Sequence, residues 1–188
     1  MSDEGRIEQQ DRDLLRRMSS KDARALGEFY ERYNRLAFSL VFRIVGNRED
    51  AEDVLVDVFW QVWQQAGRYD ASRGKPIAWL LTIARTRAID SIRSSNRQLA
   101  RVDNHEAHGE VRPSGPAPDA FVLADTRNAV LGALKALPDE HRTPLEMAYY
   151  RGMSHTEIAA ELNQPLGTIK DRIRNGMMHL RKRLKPYV

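Results

Sequence analysis

The chain has 188 residues with a formal net charge of +4, and 41% of its residues are hydrophobic and 30% charged. This length allows one large domain or two small ones. The absence of cysteine excludes a disulfide scaffold, a cysteine-based zinc site and a thiol redox sensor. No apolar run approaches the roughly 20 residues that cross a bilayer, and the polar first residues lack the apolar core of a secretory signal. We therefore expect a cytoplasmic protein without membrane insertion.

The first half of the chain predicts helices, because it contains no period-2 segment and no hairpin pair. Ser19-Ser20-Lys21-Asp22 can cap a long helix that Gly46 ends. Its apolar positions keep the three- and four-residue spacing of one helical stripe: Leu26, Phe29, Tyr30, Tyr33, Ala37, Leu40, Val41 and Ile44.

Two further helices follow in this half. Asn47 resembles the start of a capping box and opens a helix that runs to about Ala66. The loop GRYDASRG lies between Gly67 and Gly74, and Pro76 starts the next helix, which runs to about Ser95.

Residues 98–118 differ in kind, with few apolar side chains, three prolines and two glycines, which predicts a linker. Helices resume at about Asp119 and continue to Leu184. The simplest fold is all-α, with two small helical domains, 1–97 and 119–188, joined by a flexible linker.

A helix-turn-helix pattern occupies the C-terminal part. Ser154 and Glu157 form a capping box for a short helix, and Asn163–Leu166 form a turn. Thr168 is expected to cap the helix that follows. Pro144 lies inside the preceding helix and predicts either a kink or two short helices.

The last helix is expected to be amphipathic. Its predicted packed face comprises Ile169, Ile173, Met177, Leu180 and Leu184. The opposite face carries Asp171, Asn175, Met178 and Lys182, flanked by Arg172 and Arg174. Between Gly167 and Val188 seven Lys or Arg residues stand against one acid. A DNA recognition helix requires polar side chains near its start and cations around them, and this helix has both. The alternative interpretation is an ordinary helix with a solvated basic face.

Two helices of the first half also carry unusual outward faces. Opposite its apolar stripe of Ala51, Val54, Leu55, Val58 and Val62, the 50–66 helix presents Asp53, Val56, Asp57, Trp60 and Gln64. An outward Trp beside acids indicates a protein partner, although Trp60 packing on the linker or on the other domain is the alternative.

The 77–97 helix has a core stripe of Ile77, Leu80, Leu81, Ala84 and Ala88. Its other side carries Trp79, Thr86, Asp90, Arg93 and Arg97, which suits unpaired bases and phosphates. Alternatively, Trp79 is buried and Asp90 is a structural ion-pair partner.

LPDEHRTPLEMAYYRGMSHTEIAAELNQPLGTIKDRIRNGMMHLRKRL resembles the fourth conserved region of the extracytoplasmic-function sigma factors of bacterial RNA polymerase, within the sigma-70 family. Leu-Pro at 137–138, Glu-Ile-Ala at 157–159 and Gly-Thr-Ile-Lys at 167–170 carry the likeness. NREDAEDVLVDVFWQVWQ and AWLLTIARTRAIDSIRSSNR resemble the second region of the same family. The likeness covers about residues 20–97 and 119–185.

The resemblance implies a protein that binds core RNA polymerase and directs promoter-specific transcription initiation by recognising −10 and −35 elements. The expected polymerase contacts, on the β′ clamp helices, are Asp50, Asp53, Val56, Asp57, Trp60 and Gln64. The β flap is a second expected contact.

The resemblance also assigns promoter contacts. The −10 set comprises Arg68, Tyr69, Arg73, Trp79, Thr86, Arg87, Asp90, Arg93 and Arg97, with the 67–74 loop holding a flipped base on Tyr69. The −35 set comprises Thr168, Lys170, Asp171, Arg172, Arg174, Asn175 and Lys182. Asn175 stands where many relatives carry Arg, and Thr86 where Asn is common.

An anti-sigma partner, which would hold the chain at the membrane, is a further implication. We expect no cofactor, no metal, no small-molecule substrate and no enzymatic activity. The only ligand-like spacing, His105 and His108 in the linker, is an incomplete metal site. The alternative function is a free-standing helix-turn-helix regulator that binds duplex DNA without core polymerase.

Overall fold

A computed structural model of the protein describes residues 3–102 and 132–184. The chain divides into two compact units, Met1–Asp119 and Ala120–Val188, here called the N-terminal and C-terminal units. Within the described residues every regular element is a helix and no strand occurs. The prediction of an all-α protein with two helical domains is therefore confirmed.

The N-terminal unit is a bundle of four helices around one apolar core. Its elements are α1 (Asp3–Ser19), α2 (Ala23–Val45), α3 (Arg48–Gln65), two 3₁₀ turns (Ala66–Arg68 and Ala71–Arg73) and α4 (Pro76–Val102). Helices α2, α3 and α4 pack against one another, and α1 packs chiefly on α2 and on the first 3₁₀ turn. The largest fully buried side chains of this core are Leu15, Met18, Phe29, Val41, Ile44, Val58, Val62 and Leu80.

The helix boundaries follow the capping chemistry of the sequence. The Asp22 carboxylate accepts a hydrogen bond from the Arg24 amide at the start of α2. Gly46 ends α2 in the left-handed region at φ 80°, and the Asn47 side chain directly caps α3. Because a residue with a Cβ adopts that conformation at a cost, the glycine fits the position. These three predicted signals are confirmed.

Helix α1 is an element that the sequence reading did not predict. Leu14, Leu15 and Met18 are each at most 2% exposed, and they pack this charged segment on the bundle. Asp11 is also buried, and it accepts hydrogen bonds from the Tyr33 hydroxyl and, at 2.5 Å, from Arg32. The signal was a helical spacing of apolar side chains in a stretch dominated by charges.

The last helix of the bundle runs further than expected. Helix α4 continues to Val102, into the segment predicted as a linker, and the remainder of residues 98–118 lies outside the described residues. Gln, Leu, Ala and Arg at 98–101 are all good helix formers, which accounts for the extension.

The C-terminal unit combines short helices with one long helix at its end. Residues 132–135 are helical and precede α5 (Asp139–Tyr150), α6 (His155–Glu161) and α7 (Leu166–Leu184). Met147, Ile158 and Ile169 form the buried centre, one from each of the three helices. The capping box is confirmed, since Ser154 Oγ accepts from the Glu157 amide and Glu157 Oε2 accepts from the Ser154 amide.

Helix α5 runs through the buried Pro144 as one helix, so the alternative of two short helices is wrong. The expected cap at Thr168 is also wrong. Helix α7 begins at Leu166, so Thr168 is its third residue and not its cap. Pro165 precedes the helix, and its carbonyl accepts the first intrahelical bond, from the Ile169 amide at 3.2 Å.

The packed face of α7 includes Gly176 and excludes Met177. Gly176 is buried, and a Cβ on it would lie 3.3 Å from the His141 carbonyl oxygen and 3.1 Å from Leu145 Cδ1. The absent side chain allows α5 and α7 to approach closely. Met177 consequently turns outward and is 55% exposed, which contradicts its predicted place in the core.

Candidate protein and nucleic-acid interfaces

The outward face of α3 presents a large apolar area among acids. All six residues of the predicted polymerase-binding set are exposed: Asp50, Asp53, Val56, Asp57, Trp60 and Gln64. Val56 is 69% exposed and Trp60 is 60% exposed, whereas Val54, Val58 and Val62 are buried on the other side of the helix. An exposed Trp and Val beside carboxylates form a surface suited to a partner with apolar and basic groups. The role of these six residues stays a prediction.

Two predicted sets meet in one groove between α3 and α4. Asp50, Asp53 and Asp57 line it from α3, and Arg87 and Asp90 line it from α4. The polymerase set and the −10 set are thus neighbours rather than separate surfaces. In addition, Arg87 Nε donates a hydrogen bond to Gln61 Oε1 of α3, so this guanidinium also joins the two helices.

A second groove lies between α2 and α3 and was missed in the sequence. Tyr30, Phe38 and Val56 contribute its apolar lining, together with the ion pair between Arg48 and Glu52. Tyr30 is 39% exposed although the helical stripe had placed it in the core. Its ring meets Phe59 edge-on at 4.8 Å, so Tyr30 closes the core rather than entering it.

The 67–74 loop is held by its own side chains. The Tyr69 hydroxyl donates to the Gly74 carbonyl at 2.8 Å, and the Tyr69 ring meets Trp79 of α4 edge-on at 5.7 Å. Burial raises the pKa of Tyr69, while the nearby Arg12 guanidinium opposes that rise. Asp70 accepts from the Ser72 hydroxyl at 2.7 Å, and this contact lowers the pKa of Asp70.

The structure brings the two aromatic members of the −10 set together at the start of α4. Trp79 is half-buried, so it is neither a fully exposed DNA contact nor a fully buried core residue, the two alternatives that the sequence left open. Arg68 and Arg73 are exposed on either side of Tyr69 in the chain. An aromatic pair flanked by cations provides a stacking surface with phosphate neutralisers beside it.

The remaining −10 residues follow one exposed stripe of α4. Its members are Thr86, Asp90, Arg93 and Arg97. The Thr86 hydroxyl donates to the Thr82 carbonyl at 2.8 Å, and Arg97 Nε donates to the Arg93 carbonyl at 3.1 Å. These contacts stay within the helix, so the stripe is turned to solvent.

The residues of the predicted −35 set differ in how far they are exposed on α7. Lys170, Asp171, Arg174 and Lys182 are exposed, and Thr168 and Asn175 are half-buried. Arg172 differs, because it donates to Gln164 at 2.5 Å, approaches Glu140 at 3.5 Å and is only 25% exposed. The structure therefore ties Arg172 to the turn and to α5, away from the exposed face.

No three of His, Asp and Glu come together as a metal site within the residues that the structure describes. His105 and His108 lie outside that part of the chain. Across residues 3–102 and 132–184 every helix is too short or too polar to cross a lipid bilayer.

Both units match families of known proteins. Residues 29–98 match Sigma-70 region 2, and residues 133–182 match Sigma-70, region 4. These two regions, in this order, define the class as sigma-70-type transcription factors.

Related proteins of similar length place the chain within that class. It is 36% identical over 169 residues to the ECF RNA polymerase sigma factor SigK of Mycolicibacterium vanbaalenii, covering 90% of this chain and 86% of the relative. It is 33% identical over 168 residues to the SigK of Mycobacterium tuberculosis (strain CDC 1551 / Oshkosh), covering 89% of this chain and 90% of the relative. The chain therefore belongs to the extracytoplasmic-function RNA polymerase sigma factors and acts in transcription initiation. Sigma factors as a class are not enzymes.

Solved structures with some likeness carry partners. Rhodobacter sphaeroides SigE in complex with the anti-sigma ChrR is 27% identical with a TM-score of 0.43, covering 90% of this chain and 95% of that one. CnrH in complex with the cytosolic domain of CnrY is 24% identical with a TM-score of 0.41, covering 94% and 98%.

Proposed function

We propose that this sigma factor binds core RNA polymerase through the outward face of α3. The exposure of Trp60 and Val56 beside Asp53 and Asp57 is the observation that carries the proposal. An apolar centre with a charged rim is the composition of an interface hot spot. The partner surface is the β′ clamp helices, with the β flap as a second contact for the C-terminal unit. The domain bounds of this proposal are 1–97, 98–118 and 119–188.

The polymerase contact is tested by removing its charge and its aromatic ring together. Asp57→Arg combined with Trp60→Ala should weaken association of the purified chain with core polymerase while circular dichroism stays unchanged. Glu31→Arg, an exposed charge reversal on α2, is the matched control and should bind as the parent does. Unchanged core binding by the double variant would contradict the assignment.

We also propose that α7 reads a duplex −35 element. Arg174 and Asn175 act as base readers, and Lys182 neutralises phosphate at the other end of the helix. Arg174→Ala or Asn175→Ala should change preference at one base pair by roughly 1–3 kcal/mol, whereas Lys182→Ala should weaken all sequences alike and lower the salt slope by about one. Identical base profiles for the three variants, measured on a randomised −35 library with holoenzyme, would refute the division.

The 67–74 loop and α4 are proposed to capture unpaired bases at −10. A duplex promoter for the holoenzyme can be identified by run-off transcription of genomic DNA fragments. Tyr69→Ala should slow open-complex formation on that promoter. The effect should be smaller on the same promoter with a pre-melted −10 bubble, because capture then needs no base-pair opening. Equal loss on both templates would assign Tyr69 to plain binding, and no loss on either would remove it from the site.

The segment 98–118 is proposed to follow the polymerase cleft, with Asp103, Glu106 and Glu110 facing positions that nucleic acid otherwise occupies. Because α4 runs to Val102, the connection that remains is residues 103–118. About sixteen residues of free coil span roughly 22 Å, less than the ~34 Å of one DNA turn that separates the two elements at the least. Hydrogen–deuterium exchange over this segment should slow when core polymerase is added. Unchanged exchange would leave the segment a passive tether.

Finally, we propose a cytoplasmic location and an anti-sigma protein as regulator. The exposed apolar side chains of α3 are a surface that such an inhibitor would cover in place of polymerase. Affinity purification of the chain across several growth and stress conditions should recover an inhibitor in some conditions and core polymerase in others. Recovery of polymerase without an inhibitor under every condition would contradict the proposed anti-sigma protein.

A further inference from the structure

Met178 is an apolar side chain in the middle of a polar stripe on α7. It is 56% exposed. A single exposed apolar side chain is common on protein surfaces, so this exposure by itself indicates nothing. The position of Met178 among residues proposed to contact DNA is what suggests a function. The polar stripe comprises Asp171, Arg174, Asn175, Met178 and Lys182, all exposed except the half-buried Asn175.

Helical geometry turns Met178 away from the core of the C-terminal unit. Successive residues differ by about 100° in direction, so Met178 points about 180° away from Ile169, nine residues earlier. Ile169 is fully buried between the helices of this unit. Asn175 and Lys182, in contrast, lie within about 60° of Met178. A surface that approaches those two side chains therefore also meets the thioether of Met178.

The charges around Met178 favour nucleic acid over protein as the surface that it meets. Arg174 lies one turn before it, Lys182 lies one turn after it, and Arg181 and Arg183 add to the basic last turn of α7. Cations on both sides fit the phosphates of a duplex, whereas the centre of a protein interface is depleted of charge. In the major groove, the apolar group that such a side chain can contact is the thymine 5-methyl.

The spacing of the polar stripe matches a known way of reading base edges. Asp171, Arg174, Asn175 and Met178 occupy positions i, i+3, i+4 and i+7. A homeodomain recognition helix contacts bases with four side chains at this spacing, and its asparagine at i+4 binds adenine. Met178 lies about 4.5 Å beyond Asn175 along the helix. Successive base pairs are about 3.4 Å apart, so we expect these two side chains to meet different base pairs.

We infer that Met178 is a specificity residue that contacts the 5-methyl group of a thymine in the −35 element. The inference rests on the proposed reading of the −35 element by α7. A methionine side chain is long and flexible, so it can adapt to the methyl group at the edge of the base. Removing one methyl group from water favours binding by about three- to fivefold. Met178 thereby adds a preference for thymine at one base pair.

The first measurement compares the base preferences of full-length holoenzymes on the randomised −35 library. Met178→Ala should lower the preference for thymine at one position by about three- to fivefold. Arg174→Ala and Asn175→Ala should act at other positions. Met177→Ala is the matched control, because Met177 has the same side chain, is 55% exposed and points about 100° away. It should keep the parental profile, and an undiminished thymine preference in Met178→Ala would overturn the inference.

The second measurement removes the methyl group from the DNA instead of the side chain from the protein. Deoxyuridine in place of that thymine keeps the base pair and lacks the 5-methyl. It should weaken holoenzyme binding to the duplex promoter about three- to fivefold for the parent and leave Met178→Ala unaffected, because the side chain that meets the methyl is gone. Met178→Leu, which stays apolar, should keep part of the parental difference. An equal loss for parent and Met178→Ala would refute the contact.

The inference and the proposed function fail in distinguishable ways. If Met178→Ala weakens all −35 sequences alike or lowers association with core polymerase, the side chain meets the polymerase and the inference is wrong. If Arg174→Ala and Asn175→Ala alter base preference but Met178→Ala does not, the inference fails and the reading by α7 stands. If none of the three variants alters base preference, both proposals fall. Thermal unfolding should be parental for Met178→Ala, because the side chain is exposed.

Discussion

The two units of this sigma factor are stabilised in different ways. Four helices of the N-terminal unit enclose an extensive apolar core, and two further apolar side chains, Val56 and Trp60, are exposed on its surface. The C-terminal unit has a smaller core, around Met147, Ile158 and Ile169, and polar contacts also join its helices. Arg151 pairs with Glu161 at 2.5 Å, for example, and joins the end of α5 to α6. A small domain buries a smaller share of its surface, so each contact matters more in it.

The largest contrast should follow from removing equivalent apolar volume in each unit. Ile158→Ala should cost about 2–5 kcal/mol of unfolding free energy and remove exchange protection throughout the C-terminal unit. Ile44→Ala, at a side chain only 1% exposed, deletes the same volume from a larger core and should leave the N-terminal unit protected. Hydrogen–deuterium exchange on the full chain reads both units at once. Equal loss of protection in the two units would refute the contrast.

A glycine pair on α7 tests the close approach of α5 and α7. Gly176→Val should destabilise the C-terminal unit by about 1–3 kcal/mol, because the added atoms meet the His141 backbone and Leu145. A Cβ on Gly167, in the same helix, has nothing within 4 Å. Gly167→Ala should therefore be neutral or stabilise by about 0.5 kcal/mol. Thermal unfolding with the order reversed would disprove the packing argument.

Two arginines on α7 should separate stability from recognition. Arg172→Ala loses contacts to Gln164 and Glu140 and should lower the stability of the C-terminal unit by about 1 kcal/mol. Its effect on DNA binding should be the same for all −35 sequences. Arg174→Ala should leave the melting temperature unchanged and alter base preference. A change of base preference in Arg172→Ala would return Arg172 to the readers.

The smallest effect concerns the buried carboxylate that ties α1 to α2. Burial raises the pKa of Asp11 above its ordinary value, against the opposing contacts from Tyr33 and Arg32. The folded state then holds this proton more tightly than the unfolded state, so Asp11 contributes most at low pH. That contribution falls as pH rises from about 3.9 through the folded pKa. The stability difference between the parent and Asp11→Asn should accordingly favour the parent more at pH 3.5 than at pH 7.

Asp22 provides the control with the opposite sign. The hydrogen bond from Arg17 lowers the pKa of Asp22, so its contribution is lost as pH falls through the folded pKa. Asn also serves as a helix cap, which keeps Asp22→Asn folded. Parallel pH profiles for the two variants, measured by urea unfolding, would contradict the direction given for Asp11.

Capping residues and apolar stripes made most of the fold predictable. Asp22, Gly46 and Asn47 place their helix ends where the sequence puts them, because each acts through its own backbone neighbourhood. Helix α1 escaped notice because charged residues surround Leu14, Leu15 and Met18, and only tertiary packing shows that these three share a side. Helix caps can be predicted from the sequence because they act on neighbouring residues, whereas the element against which a helix face packs cannot.

The candidate sites show the same limit. The outward faces of α3 and α4 follow directly from helical periodicity, so their exposure was predictable. Arg172 lies on the flank of α7, and its engagement with Gln164 and Glu140 depends on how the helices cross. The burial of Gly176 and the exposure of Met177 have the same origin, since a helical wheel does not show that the backbone of the opposing helix α5 approaches α7 at Gly176.

The junction at Gly46 and Asn47 joins two helices with no residue between the two caps. The four-residue step from Asn47 to Ala51 therefore fixes which side chains of α3 point outward. One residue inserted within that step would turn the rest of the helix by about 100° relative to its cap. Trp60 would then turn toward the bundle, and the buried Phe59 would take its outward place. Among descendants of this gene, length changes should accumulate in residues 103–118 and should be purged between Asn47 and Trp60.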